Sequence, residues 1–193
     1  MGKQTFQETL VTQQGAGTLF ATYTTPKSVI NPQALVQLPG GFFYVGRKLR
    51  VIAKGGISNI VTTPGTMQFQ VKLGPTANIA AFDTGALQLN ASAHTTLPFW
   101  LEIELTCRSV GSGTAATLFG LAQITGKMFT STAGQTDDAQ GMQTLLAPAT
   151  APGVGTGFDS TTASILDLWA GFSISNAGNG VQIQSYAVED LGG

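Results

Sequence analysis

Hydrophobic and polar side chains alternate along most of this chain, and the alternating runs are separated by clusters of Gly, Asn, Ser and Thr. A period of two puts successive side chains on opposite faces of an extended ribbon, so the pattern predicts β-strands. The clearest run is 98–111, PFWLEIELTCRSVG. Phe99, Leu101, Ile103, Leu105 and Cys107 share one face, and Trp100, Glu102, Glu104, Thr106 and Arg108 share the other. An antiparallel sheet accommodates such a strand, because one of its sides can remain in water.

Further strands are expected over 18–24, 48–54, 66–73 and 117–129. Two short ones, 78–82 and 85–89, are joined through Asp83, Thr84 and Gly85. Near the end, 164–174 places Leu166, Leu168, Ala170, Phe172 and Ile174 on one face, and 181–188 closes the chain. The link 175–180, SNAGNG, reads as a hairpin loop in which Asn-Gly takes left-handed conformations. Helix signals are few. Asn31 followed by Pro32 is a cap-and-start pair for one or two turns through Leu35. A second short helix is expected within 136–146. The segment 147–157 is an uncharged loop, and the same strand chemistry continues on both sides of it. Residues 1–17 are polar and Gly-interrupted, and are expected to be a flexible N-terminal arm before a single domain over 18–193. Eight to ten strands with Gly-rich connections make the chain all-β: an antiparallel β-sandwich, jelly-roll as first choice and immunoglobulin-like as second.

Composition changes the picture chiefly by what it removes. With 193 residues the chain can bury a core without disulfides or metal. Nine basic residues and a net charge of −1 leave no electrostatic footprint for DNA or RNA. No run approaches the ~20 apolar residues of a membrane helix. The beginning, MGKQTFQETL, has no apolar core of a secretory signal, and Phe6 stands where a myristoylation pattern needs Ser or Thr. The single Cys107 precludes an intramolecular disulfide and reads as a small buried hydrophobe.

Catalytic and metal-binding chemistry is sparse. His94 lies in a polar stretch with no GxSxG elbow nearby, and is expected to bond loop backbone. Asp137 and Asp138 lack the spacing of a calcium loop and read as a solvated acidic turn. Glu102 and Glu104 lie side by side on one strand face, where Arg108 or Lys127 is expected to neutralise them. No catalytic residue, cofactor site or metal site is assigned, and the chain is not expected to be an enzyme. Trp100, Trp169 and Tyr186 are the candidate interface residues. Trp100 and Trp169 alternate away from the apolar faces of their strands. They form a subunit contact, a sugar platform, or a second face covered within the monomer.

Charged residues make up only 10% of the chain, against about 25% in ordinary soluble domains. Outward strand positions are mostly Thr, Ser, Gln, Asn and Ala. Such a surface repels neighbours weakly and suits a protein packed in a homo-oligomer or lattice.

Four segments carry a resemblance: GRKLRVIAKGG from Gly46, GTMQFQVKLG from Gly65, PFWLEIELTCRSVG from Pro98, and LDLWAGFSISNAGNGVQI from Leu166. In their strands and turns, across most of Leu38 to Glu189, they are similar to tailed-bacteriophage virion structural proteins. The resemblance implies a small β-sandwich located in the virion and made in the host cytoplasm. The leading expectation is a capsid decoration (cement) protein that binds the major capsid protein, often as a trimer. The alternatives are a tail, baseplate or head-fibre component, and a carbohydrate- or receptor-binding module. The resemblance transfers no active-site residue.

Overall fold

The computed structural model describes residues 7–22, 24–60, 63–134, 136, 141–149 and 153–192. Among these residues the regular structure is strand, apart from one 3-10 turn. Two antiparallel sheets form, so the expected β-sandwich is the fold.

The first sheet runs β1 (Glu8–Thr12), β14 (Gly180–Gly192), β5 (Lys48–Asn59), β9 (His94–Ser109), β10 (Thr117–Gly126) and β12 (Gln143–Ala147). The short β2 (Phe20–Ala21) adds to the end of β14. The second sheet runs β11 (Phe129–Thr130), β8 (Leu87–Leu89), β6 (Thr66–Leu73), β13 (Ser164–Phe172) and β3 (Lys27–Ser28). β4 (Val36–Leu38) pairs with β13, and β7 (Ile79–Asp83) pairs with β6.

The inner faces of the two sheets share one core. Leu101 and Ile103 of β9, Val51 of β5, Phe69 and Val71 of β6 and Leu168 of β13 are all fully buried in it. Phe69 stacks across the sandwich on Phe99, with ring centroids 5.6 Å apart, and Phe20 stacks on Phe172 at 5.7 Å. Burying such side chains is worth roughly 1.5–3 kcal/mol each, so the alternation of β5, β6 and β9 contributes a substantial part of the driving force. Gly120 in β10 has a steric reason. A Cβ there would run into the ring of Phe82, which β7 presses against it from the other sheet.

Several expectations change. The 164–174 and 181–188 strands are not a hairpin: β13 belongs to the second sheet and β14 to the first, and the 175–180 link crosses between them. Neither its Asn nor its Gly residues take a left-handed φ. Instead Asn176 accepts a bond from the Gly178 amide at 2.8 Å, and the buried Asn179 amide reaches the carbonyls of Pro64 and Ile174. The helix expected within 136–146 is replaced at its end by β12, whose pairing satisfies the outer edge of β10. The 117–129 run breaks after Gly126 and changes sheets at β11. Asn31 behaves as read: its side chain accepts from the Gln33 amide at 3.0 Å and starts a 3-10 turn over Pro32–Ala34. Within the stretch expected as an arm, Glu8–Thr12 pair with β14 of the same chain.

Substituting Gly120→Val is expected to destabilise the protein by about 1–3 kcal/mol through overpacking against Phe82. Val at Gly113, where the added Cβ meets open space but φ is +66°, should cost less than Val at Gly120. Urea midpoints of the two variants check the ranking.

Candidate functional site

The outer face of the first sheet carries the most distinctive surface. Register sets its rows. Lys54, Trp100 and Thr125 lie opposite one another on β5, β9 and β10, followed by Ile52, Glu102 and Gln123, then Arg50, Glu104 and Leu121. β9 contributes to both faces, because its even-numbered side chains from Trp100 to Arg108 point outward while Phe99 to Cys107 are core.

Charges on the β5 side are mutually paired. Lys48 Nζ donates to Glu104 Oε1 at 2.8 Å. Arg50 lies between two carboxylates, with Nε 3.2 Å from Glu102 and Nη1 3.6 Å from Glu189. Those two contacts are attractions of charge without hydrogen-bond alignment. The expected neutralising role of Arg108 does not hold, since its guanidinium lies 5.0 Å from the Phe119 ring. Lys127 falls in the turn between β10 and β11. The β10 and β12 side is mixed: Leu121, Leu146, Met142 and, beyond them, Val154 are exposed apolar side chains, set among Gln123 and the Thr125–Thr144 hydroxyl pair.

Between these halves the surface is hollowed. A depression of about 410 Å³ is walled by Trp100, Met142 and Lys54. A second, of about 320 Å³, is bounded by Trp100, Glu102, Gln123 and Thr125. A third, of about 260 Å³, continues past Glu104 to Phe119 and Leu121. Trp100 is 48% exposed, the largest solvent-facing ring of the described residues, and Lys54 Nζ sits 4.2 Å from its centre.

The other aromatic candidates differ. Trp169 is half-buried on the second sheet, where its indole N–H donates to Asp167 Oδ2 at 2.7 Å and Lys72 Nζ lies 3.6 Å from its ring. It is a face covered within the monomer. Tyr186 is 2% exposed and belongs to the core, so it has no area to offer a partner. Its hydroxyl has no hydrogen-bond partner among the described residues, and burial, with the nearby Asp167 charge, pushes its ionisation far up. The bulge between Ile183 and Ser185 shifts which side of β14 faces inward, and so brings Tyr186 and Val188 into the core.

Two buried carboxylates have specific partners. Asp167 is held up by burial, against the bonds it accepts from Ser28 and Trp169. Burial also raises Asp190, but the bonds and charge of Arg47 and the Gly192 amide outweigh it, and the net shift is down. Arg47 is fixed in turn over the Phe42 ring at 3.5 Å. Burial raises the Cys107 thiol, whose Sγ lies 3.4 Å from the Ser109 carbonyl. His94 opens β9 opposite Asn59 rather than lying in a loop. Asp137 and Asp138 lie outside the described residues. Among the described residues, no three His, Cys, Asp or Glu side chains gather as a metal site, and no helix is long and apolar enough to cross a membrane.

No family model matches this chain, and no curated protein matches it. Among solved structures it is similar to the CBM2 module of the evolved Dit of Lactobacillus casei BL23 phage J-1, at 12% identity over 96% of each chain, with a TM-score of 0.35. It is also similar to the metal-free form of lectin I-B4 from Griffonia simplicifolia, at 10% identity over 88% of this chain and 79% of that one, with a TM-score of 0.26.

The two carboxylates should leave opposite marks on stability against pH. Asp190, depressed when folded, adds stability above its unfolded value of ~3.9, and that stability is lost as pH falls through its folded pKa. Asp167, raised when folded, favours the fold below its unfolded value, and this contribution is lost as pH rises through its folded pKa. Asp190→Asn should therefore cost about 2 kcal/mol at neutral pH, and progressively less as pH falls through the folded pKa of Asp190. Chemical denaturation of the variant and parent across pH 2–7 gives the comparison.

Proposed function

We propose that this chain is a structural protein of a phage particle that works by packing against neighbours and by binding, with no bond made or broken. Within that reading it is a capsid decoration protein that contacts the major capsid protein and copies of itself. The observation that carries the proposal is where the charge sits. Lys48, Arg50, Glu102, Glu104 and Glu189 are gathered on one sheet face and paired there. The exposed loops 112–115, 131–134, 161–163 and 175–178 are instead built of Ser, Thr, Asn, Ala and Gly. Surfaces of this kind can be buried between subunits without stripping water from ions, which costs several kcal/mol per ion. Added interface between shell subunits then stabilises the assembled state by mass action.

The exposed Trp100 and its depression favour a second reading, a receptor-binding module on the tail or baseplate. Copy number separates the two. Quantitative mass spectrometry of purified particles of the phage that encodes this chain should give hundreds of copies for a shell protein. A few dozen or fewer would move it to the tail. Absence from the particle, or turnover of a substrate by the isolated chain, would overturn the structural role altogether.

A further inference from the structure

The three depressions on the first sheet are one feature. They share Trp100 and Thr125 at the first junction, and Glu102 and Gln123 at the second. Together they follow the seam between β9 and β10 through four facing pairs, from Trp100–Thr125 to Thr106–Phe119. Three two-residue steps at ~3.4 Å per residue make this a trough of roughly 20 Å. An aromatic ring stands at each end, and carboxylate and amide groups lie between.

The chemistry of the lining selects the occupant. A polyanion such as nucleic acid would find Lys48 and Arg50 already committed to Glu104 and Glu102, and Lys54 and Arg108 set over the two end rings. A peptide strand would find no open backbone groups, because β9 and β10 are paired on both sides. A lipid chain would strip water from the carboxylates and Gln123 without replacing their bonds. A sugar chain has what the trough lacks: apolar C–H faces for the rings, and hydroxyl donors for the acceptors. Those acceptors are held in place, since Lys48 bonds Glu104 and the Arg50 charge attracts Glu102, while both carboxylates stay partly exposed to the trough. Preorganised polar groups beside an aromatic wall are the usual elements of a small-ligand site.

The geometry points to a binding trough for a linear, uncharged oligosaccharide along the β9–β10 seam. This goes beyond packing on a particle, and it is tested on the isolated full chain, so its failure leaves the particle role standing. A glycan array of neutral and acidic, linear and branched sugars identifies the series bound. Calorimetry with oligomers of two, four and six residues from the malto-, cello- and chito- series then measures length dependence. At least one neutral linear series should bind, tightening at least fivefold from two to four residues and levelling by six. Trp100→Ala should weaken binding at least tenfold and Gln123→Ala about fivefold, while Tyr44→Ala, exposed in a distant loop, should leave it within twofold. Circular dichroism confirms the fold of each variant, and Gln123→Ala decides the matter if Trp100→Ala does not fold. Binding of no neutral glycan, a preference for acidic ones, or affinity unchanged by Gln123→Ala would overturn the assignment.

Discussion

Burial of one face of each sheet against the other is the constraint on which the molecule depends. The Phe69–Phe99 stack lies in that contact, and the odd-numbered residues of β9 continue it toward Cys107. A strand whose inner side chains are fixed has no choice about its outer ones. A slip of one residue would drive Glu102 and Glu104 into the core and expose Leu101 and Ile103. The hydrophobic pattern therefore sets the position of the trough to the residue, although the side chains that give the trough its chemistry lie outside the core.

The same constraint explains how a chain so poor in charge keeps a defined surface. Five of its ions are gathered in one place. Lys48, Arg50, Glu102, Glu104 and Glu189 brace one another across β5, β9 and β14, where cross-strand neighbours lie within reach. Exposed pairs of this sort add little stability, and their value here is position: they hold carboxylates still on a face that also presents Trp100. The exposed loop segments 112–115, 131–134, 161–163 and 175–178 are by contrast neutral and small in side chain.

Much of the fold was legible in the sequence, because β5, β6, β9, β10 and β13 each carry an alternation that a core must obey. What was not legible depends on which strand lies beside which. The 175–180 link has every mark of a hairpin turn, yet β6 and β5 claim the strands on either side of it for different sheets. β12 has too little alternation to outweigh a helical reading, and forms because the edge of β10 offers unpaired backbone. At the candidate site, outward placement of Trp100 followed from period two. The equivalent placement of Trp169 did not make it available, since Lys72 and Asp167 engage it through pairing of β13 with β6. Tyr186, offered as an interface residue for its size and polar tip, lies in the core because a bulge after Ile183 turns it inward.

The pairing of β1 with β14 has a mechanical consequence. Glu8 stands opposite Asp190, and the two strands run antiparallel from there to Thr12 and Ala187. Tension between the two ends of the domain therefore loads the ladder at one corner, and the cross-strand bonds break in succession instead of resisting together. A tether at both ends would peel β1 away at low force while the sandwich stayed whole. A tether at one end would leave the zipper closed.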